Sequence, residues 1–381
     1  MNDHTNSSLE IREVSGKRAL KTFIQVPWSI YKDDPNWIPP LLIERKEALS
    51  PGNPYFQHAD FQAWIAYRNG QPIGRISAQI DQLHQKQYDG RVGFFGLIEA
   101  PDDDAVFQAL LETAENWLRN KGMRQILGPF NLGINQELGI LVDGFDTPPY
   151  IMMGHSAPYY GAAIERCNYR PAQDLLAYEI DNSTLVIPRI MQALLDRSAD
   201  RVNVRPLNRK NKAADLEIMR DIFNDAWENN WNFVPFTREE FKAVGKELLM
   251  LLPPDFIQIA EIDGQAAAFV ALLPNINEAI ADLDGRLLPF GWAKLLWRLK
   301  KEFPKTARVA LMGVRQKYQN TRFGPALAFV VIKAAMDAAT SRGLERAEMS
   351  WVLDHNKATR NIIEGIGGEI TKRYRMYEKD L

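Results

Sequence analysis

The stretch that decides the fold is Gly313-Val-Arg-Gln-Lys-Tyr-Gln-Asn-Thr-Arg-Phe-Gly-Pro-Ala-Leu327. It predicts the end of a β-strand, a short polar loop and a helix that begins near Pro325, because proline fits the first helical turn. Successive loop N–H groups and the positive end of the helix form a seat for an anion such as a pyrophosphate. Arg315, Lys317 and Arg322 add positive charge there. The stretch therefore predicts a phosphate-binding loop, with a purely structural glycine turn as the alternative.

This loop resembles a motif of a known superfamily. Val314, Tyr318, Gln319 and Gly324 match the pattern Val-x-Pro-x-Tyr-Gln-Gly-x-Gly-x-Gly/Ala. That pattern is the pyrophosphate loop of the GNAT superfamily of acyl-CoA-dependent N-acyltransferases. The strand before the loop and the helix after it also fall in the order that this superfamily follows.

Three loop positions depart from the pattern. Gln316 stands where proline is usual, Asn320 replaces the first glycine and Arg322 replaces the second. Asparagine tolerates the left-handed backbone conformation that glycine supplies, so its substitution is mild. Arg322 either blocks close approach of the backbone to a phosphate or adds a charged contact to it. The loop is therefore recognisable but altered.

A later segment extends the resemblance. Glu348-Met-Ser-Trp-Val-Leu-Asp-His-Asn356, with Gly367 eleven residues on, is similar to the strand, asparagine and helix that follow in the superfamily. The resemblance covers roughly residues 200–381 well, and residues 9–180 at the level of element order. It implies an α+β fold in which a mixed twisted sheet carries helices on both faces.

The resemblance also implies a chemistry. Acetyl-CoA or another acyl-CoA would be the co-substrate, and a small-molecule amine would attack its thioester directly. The backbone N–H of Val314 or Arg315 would stabilise the carbonyl oxygen. Glu348 is the candidate general base, with an ordinary surface residue of the strand as the alternative. Asp354 is the second choice for the base, with a purely structural role at the start of the next helix as its alternative. The residues assigned to acyl-CoA binding are Val314, Arg315, Gln319, Asn320, Thr321, Arg322, Phe323, Gly324 and Asn356.

The general acid of many GNAT enzymes is missing from its expected position. A tyrosine there protonates the leaving thiolate, seven residues after the motif asparagine, but this chain has Ile363. We expect Ile363 to be buried against the sheet. Tyr374 and Tyr377 on the closing strand are the candidate substitutes, and Tyr374 is the one assigned to catalysis.

An internal repeat indicates two copies of the fold. A strand–turn–strand pattern surrounds Asn69-Gly70 and recurs around Asp263-Gly264, and both dipeptides favour tight hairpin turns. The two turn glycines are 194 residues apart. We predict a degenerate GNAT-like domain at 9–180, a linker and helix at 181–200, and a better preserved GNAT-like domain at 201–381.

The first copy lacks a recognisable cofactor loop. Asp102, Asp103 and Asp104 occupy the expected phosphate position, where they suit a helix start but repel pyrophosphate. We therefore expect no CoA binding in this half.

The segment 127–160 is rich in glycine, proline and aromatic residues, and it lines either a substrate pocket or a packed surface between the domains.

Composition excludes several classes of protein. The 381 residues carry a net charge of −2 and one cysteine, Cys167, so nothing calls for nucleic acid or disulfides. The histidines show no metal-ligand spacing. The polar N-terminus and the lack of a ~20-residue apolar run predict a cytoplasmic protein without a transmembrane segment. The oligomeric state is not predicted.

A basic amphipathic stretch at 285–301 leaves a further choice open. It could touch a membrane, cover a long acyl chain or pack on its own protein. Two alternatives to acyl transfer from CoA to an amine follow from the sequence. One is a non-catalytic GNAT-like protein that binds a metabolite or a partner. The other is a long-chain N-acyl transferase that uses an acyl carrier.

Overall fold

The computed structural model describes residues 9–186, 188–189, 192–193, 196, 201–319, 321 and 323–381. The polar N-terminal tail, Asn320, Arg322 and much of the helix predicted within 181–200 lie outside the described residues. The chain forms two compact units. The first contains residues up to 175 together with 283–287 and 372–381, and the second contains 176–282 and 288–371.

Strands and helices alternate as the sequence predicts for an α+β fold. The strands are β1 (Leu9–Glu13), β2 (Ala59–Arg68), β3 (Gln71–Asp81), β4 (Val92–Glu99), β5 (Gln125–Gly128), β6 (Phe130–Asn131), β7 (Glu137–Leu138), β8 (Ile140–Asp143), β9 (Arg170–Asp181), β10 (Val202–Pro206), β11 (Ile257–Ile262), β12 (Gln265–Pro274), β13 (Thr306–Val314), β14 (Arg346–Leu353) and β15 (Glu369–Asp380). The helices are α1 (Gly16–Ile30), α2 (Leu42–Ala48), α3 (Gln82–Gln87), α4 (Asp104–Asn120), α5 (Tyr160–Arg166), α6 (Lys212–Trp227), α7 (Arg238–Leu251), α8 (Asn277–Ile280), α9 (Gly291–Lys301), α10 (Gln316–Gln319), α11 (Phe323–Thr340) and α12 (Lys357–Gly365).

In the first unit, the sheet runs in the order β1, β2, β3, β4, β5 and β15. β2 and β3 form the predicted hairpin, and Asn69 and Gly70 both have positive φ, as the tight turn requires. β4 is antiparallel to β3 and parallel to β5. α4 buries one stripe on this sheet at helical spacing, made of Phe107, Leu110, Leu111, Ala114 and Leu118.

In the second unit, the strand order is β14, β13, β12, β11 and β10, with the end of β9 beside β14. The hairpin of β11 and β12 turns at Asp263 and Gly264, again with positive φ at both residues. β13 is antiparallel to β12 and parallel to β14. The buried stripe of α11 consists of Leu327, Val331, Ala335 and Ala339. Both hairpin predictions are confirmed.

The two units confirm the tandem α+β architecture. Their ends do not coincide with the sequence repeats, since residues 372–381 belong to the first unit and residues 176–181 to the second. The predicted domain bounds 9–180, 181–200 and 201–381 describe the repeats and stay predictions. Among the described helices, none is both long enough and apolar enough to cross a bilayer.

Candidate active site

β13 and β14 separate at the centre of the second unit. Thr306–Val309 pairs with Arg346–Met349, but the pairing stops there, although both strands continue for several residues. On its other edge β13 pairs Val309 with Leu272 and Leu311 with Ala271, so Ala310 is an extra residue, a β-bulge. Bulges bend a strand and disrupt pairing. The Ala310 bulge therefore marks where the two strands open.

The bulged strand ends with one backbone donor directed into this opening. The sequence offered two backbone N–H groups, those of Val314 and Arg315, as the oxyanion donor. The Arg315 N–H already donates to the Ala267 carbonyl oxygen at 2.9 Å. Val314 lies opposite Ala268. Because donors alternate in direction along an antiparallel strand, the Val314 N–H points away from β12, towards the side where β14 has separated. Val314 is therefore the remaining candidate for the oxyanion donor.

The loop after β13 is held by its own residues. Gln319 Nε2 donates to the Val314 carbonyl oxygen at 2.8 Å, and Thr321 Oγ1 donates to the Tyr318 carbonyl oxygen at 2.7 Å. Gly324 lies in the first turn of the following helix, in close contact with this loop. A Cβ atom on Gly324 would lie 2.6 Å from the Gln319 carbonyl oxygen. The loop and the helix start can approach this closely only because residue 324 is a glycine.

The charge around the loop is more balanced than the sequence predicts. Arg315 Nη2 donates to Asp221 at 2.6 Å, and Arg315 Nε donates to the Ala266 carbonyl oxygen. Gln316 donates to Asp225 and to Glu228. Asp221 and Asp225 of α6 and Glu228 directly after it thus present three carboxylates to residues 315 and 316. A neighbouring surface cleft of about 480 Å³ has the same mixed lining, namely Ile218, Asp225, Gln265, Ala266, Arg315 and Lys317.

The predicted base, Glu348, is fully buried beside the opening. It lies opposite Arg308, one residue before the last pair of β13 and β14. Ser350 Oγ donates to Glu348 Oε1 at 2.5 Å, and Arg308 Nε donates to Ser350 Oγ at 2.7 Å. Arg308 Nε is also 3.9 Å from Glu348 Oε1. The carboxylate therefore belongs to an enclosed cluster with a hydroxyl and a guanidinium.

Helix α12 carries two of the residues singled out by sequence. Asn356 caps its N-terminus, since its side chain accepts a hydrogen bond from Thr359 N–H at 3.1 Å. Ile363 is buried, as predicted. A tyrosine that sequence analysis missed approaches the same helix from β9. The Tyr178 hydroxyl donates to Glu364 Oε1 at 2.7 Å and accepts from Arg360 Nε at 3.0 Å.

The closing-strand tyrosines belong to the first unit. Tyr374 is fully buried and pairs with Leu141 of β8. Tyr377 is also buried, and its hydroxyl donates to Glu165 at 3.2 Å. The structure therefore places Val314 and Glu348 in one unit and Tyr374 in the other.

Aromatic side chains lie next to the opening between β13 and β14. Trp227 of α6 donates its indole N–H to the Met312 carbonyl oxygen at 2.8 Å. Its ring stacks on Phe223 and meets Trp351 of β14 edge to face, at centroid distances of 5.4 and 5.7 Å. Trp227 and Trp351 are both partly exposed. They form an apolar wall beside the strands that separate.

The first unit repeats the bulge but closes the opening. In β4, Leu97 and Ile98 lie opposite the single residue Ile76, which makes a bulge after the part paired with β5. The Leu97 N–H donates to Asn131 Oδ1 at 2.7 Å. Backbone from β6 also lies on β4, since a Cβ on Gly96 would be 1.8 Å from the Phe130 carbonyl oxygen. This segment occupies the place that is open in the second unit.

Two of the three aspartates, Asp103 and Asp104, lie at the start of α4. Asp103 caps α4 by accepting from Ala105 N–H and pairs with Arg68 at 2.7 Å. Asp104 accepts two hydrogen bonds from Arg166. This matches the structural interpretation of the aspartate run.

The segment 127–160 contributes to a buried polar cluster in the first unit. The Tyr160 hydroxyl donates to Glu99 Oε2 at 2.7 Å, and the Tyr31 hydroxyl donates to the same oxygen at 2.6 Å. Arg75 Nη2 lies 3.5 Å from Glu99 Oε1. Burial raises the pKa of the Glu99 carboxyl, and the neighbouring Arg75 charge opposes that rise.

The fold is shared with known proteins. A tandem GNAT protein from the clavulanic acid biosynthesis pathway matches 98% of this chain over 98% of its own length, with a TM-score of 0.56 and 10% identity. Together with the two bulged strands, this likeness shows that the chain has the tandem GNAT fold. Acyltransferases use this fold, and its members generally take acyl-CoA as co-substrate.

Sequence relatives define the family more narrowly. No known family profile matches the chain. Protein YghO of Escherichia coli is 50% identical over 371 residues, which are 97% of this chain and 95% of that protein. Bacterial ceramide synthase of Caulobacter vibrioides is 48% identical over 382 aligned positions, covering 100% of this chain and 99% of that protein. The chain belongs to the family of these two proteins.

Proposed function

We propose that the chain transfers an acyl group from an acyl thioester to the amino group of a long-chain amine. The observation that carries the proposal is the opening that the Ala310 bulge marks between β13 and β14. Trp227 and Trp351 line it with apolar surface. An aromatic wall beside a backbone donor suits a substrate with a hydrocarbon chain and one reacting polar group.

The relatives support a lipid-like acceptor. A ceramide is an amide of a fatty acid with a long-chain amino alcohol, and one family member is named a bacterial ceramide synthase. Its identity to this chain extends over the whole length. We therefore infer the same class of reaction, amide formation on a long-chain amine, and a cytoplasmic location, where acyl-CoA donors are available.

The chain's own residues would divide the work as follows. An acyl-CoA supplies an acyl group activated as a thioester. The Val314 N–H would stabilise the carbonyl oxygen as negative charge develops on it. Glu348 would accept the proton of the amine, and Tyr374 stays the proposed donor of a proton to the thiolate. The residues proposed to hold the donor are Val314, Arg315, Gln319, Asn320, Thr321, Arg322, Phe323, Gly324 and Asn356.

The fit of the loop to a pyrophosphate has one supporting and one opposing observation. The close packing at Gly324 supports it, because it keeps the loop compact at a helix N-terminus. The ion pair of Arg315 with Asp221 opposes it, because it engages one of the cations. That ion pair favours the second candidate function, a non-catalytic binding protein. Transfer from an acyl carrier is the third.

A direct assay separates these functions. The purified chain is incubated with one donor (acetyl-CoA, a long-chain acyl-CoA or a long-chain acyl carrier protein thioester) and one acceptor (a long-chain amino alcohol or ethanolamine). The amide is measured by mass spectrometry. We expect amide from the long-chain amine only. No amide with any acyl-CoA or acyl carrier thioester would reject acyl transfer, and equal rates with ethanolamine would reject the long-chain acceptor.

A variant connects the assay to the aromatic wall. Trp227→Ala should lower kcat/KM for the long-chain amine by roughly 10- to 100-fold, because apolar contacts of this size are worth about 1–3 kcal/mol. Trp227→Phe is the matched control, since it keeps a ring against Trp351 but removes the N–H that binds Met312. Equal loss in both variants would point to the Met312 hydrogen bond instead of the wall.

A further inference from the structure

Apolar side chains are exposed in one short part of the second unit. Ten large apolar side chains are exposed among the described residues, and five of them lie between Leu288 and Trp297. Leu288 and Phe290 are each 79% exposed. The other three, on α9, are Trp292, Leu296 and Trp297. Such a concentration differs from the single exposed apolar residues that are normal on soluble surfaces.

Helix α9 does not bury this face on its own protein. None of its residues is buried. The sequence left open whether the Leu/Trp face of this helix packs on its own protein. Trp292 and Leu296 are exposed, so these two side chains do not pack in that way.

Ion pairs fix which side of α9 faces outwards. Lys294 and Arg298 both pair with Asp282, and Arg298 also donates to the Ala279 carbonyl oxygen at 2.8 Å. Lys294 and Arg298 are four residues apart and share one side of the helix. Trp292 and Leu296 precede them by two residues each, about 200° around the helix axis. The apolar side is thus opposite the anchored side.

Positive charge borders the apolar side. Lys300 follows Leu296 by four residues, so it lies next to Leu296 on the helix surface. Lys301 follows Lys294 by seven residues, so it lies on the anchored side, where it is exposed at the end of the helix. In the part of the chain that the structure describes, no acidic side chain pairs with either lysine. The segment 288–301 contains four basic residues and no acidic one, whereas the whole chain has a net charge of −2.

We propose that residues 288–301 form a docking surface for an anionic phospholipid bilayer. Tryptophan, phenylalanine and leucine side chains enter the boundary between headgroups and acyl chains, where amphipathic helices with this composition lie. Lys300 contacts lipid phosphates with its aliphatic stem along the apolar side, and Lys301 adds positive charge at the end of the helix. The surface goes beyond the proposed reaction and does not depend on it, but it would bring the site to membranes that hold long-chain amines.

Vesicle co-sedimentation of the full chain tests the surface. We expect binding to vesicles of phosphatidylglycerol with phosphatidylcholine, and binding at least about ten-fold weaker to phosphatidylcholine alone. Trp292→Ala combined with Leu296→Ala should lower the partition coefficient at least about ten-fold. The matched control truncates two exposed apolar residues elsewhere, Ile43→Ala with Met250→Ala, and should leave binding unchanged.

A charge-reversal pair tests the electrostatic part. Lys300→Glu with Lys301→Glu should abolish the preference for anionic vesicles, whereas Lys242→Glu with Lys246→Glu changes the net charge equally and should not. Circular dichroism confirms that each variant is folded. Vesicle binding that is equal in the α9 variants and their controls would overturn the proposal. So would binding of an acidic acyl carrier protein to this segment without any binding of vesicles.

Discussion

Gly324 lies so close to Gln319 that a Cβ atom on Gly324 would be 2.6 Å from the Gln319 carbonyl oxygen. Nearby, the Gln319 side chain donates to the Val314 carbonyl oxygen at the end of β13. The absence of a side chain at Gly324 thus lets the loop approach the helix closely, and the side chain of Gln319 ties the loop to the strand. The shape of the proposed donor site depends on both contacts.

Gly324→Ala should therefore weaken binding of acetyl-CoA by about ten-fold or more, without any added charge. The new methyl group meets backbone oxygen atoms, which cannot move without changing the loop. Gly324→Asp should abolish binding, since it adds like charge near a pyrophosphate. Titration calorimetry measures both affinities. Gly365→Ala is the control, because its new Cβ would lie more than 4 Å from any described atom outside the adjacent helix backbone and its chain neighbours. Unchanged affinity in both Gly324 variants would reject the loop as the donor site.

Glu348→Gln tests the proposed base. If Glu348 takes the amine proton, kcat should fall by about 10²–10⁴-fold, and the carboxylate-dependent limb of the pH–rate profile should disappear. Glu348→Gln also changes a buried cluster, because Arg308 is 3.9 Å from the carboxylate and Ser350 donates to it. A lower rate could therefore come from the cluster as well as from the lost base. Ser350→Ala controls for this, since it disturbs the cluster but keeps the carboxylate. A rate that falls equally in both variants would indicate a structural role.

The first unit should show an unusual pH dependence at Glu99. Burial raises the pKa of this carboxyl above its ordinary 4.5. The folded state therefore holds the proton more tightly than the unfolded state, so this contribution to stability is complete below pH 4.5 and is lost as pH rises through the raised pKa. Glu99→Gln cannot ionise and escapes this loss. The unfolding free energy of the native chain minus that of the variant should fall as pH rises from 4.5.

Asp174 in the same unit should behave in the opposite way. Burial alone would raise the pKa of Asp174, but hydrogen bonds from Arg375 and Arg373 lower it below 3.8 overall. Its stabilisation is present above pH 3.8 and is lost as pH falls through the lowered pKa. Asp174→Asn should therefore be destabilised most at neutral pH, and the difference should shrink in acid. Denaturant titrations at several pH values measure the unfolding free energy of the native chain and of each variant. The difference between native chain and variant should fall with rising pH for Glu99→Gln and rise for Asp174→Asn. Slopes of the same sign would contradict these two predictions.

The sequence alone predicts those features that depend on residues close together in the chain. The Asn69-Gly70 and Asp263-Gly264 turns and the buried Ile363 follow from local pattern, and all three are confirmed. The bulge at Ala310 has no signature in the sequence, because it is defined by the register between β12 and β13 and an alanine is equally compatible with regular pairing. The Asp221 partner of Arg315 is 94 residues away, so spacing could not reveal it.

The same reason explains what was missed in the first unit. Asn131 reaches the Leu97 N–H because β6 returns across β4, and nothing in either residue type predicts that path. Likewise, Tyr178 meets Glu364 across 186 residues of sequence. Long-range contacts therefore decide which of the two copies keeps an open site.

Tyrosine-to-phenylalanine variants test which residue gives a proton to the leaving thiolate. Tyr178 belongs to the second unit, and its hydroxyl contacts Glu364, next to Ile363, which replaces the usual tyrosine. If Tyr178 takes the role proposed for Tyr374, Tyr178→Phe should lower turnover by up to about 100-fold, the lower end of general-acid effects, because a thiolate leaves readily. Tyr374→Phe and Tyr377→Phe are assayed in parallel, with thermal melting as the control for their buried positions. A full rate in Tyr374→Phe would remove the residue predicted from the sequence. Full rates in all three variants would leave solvent as the proton source.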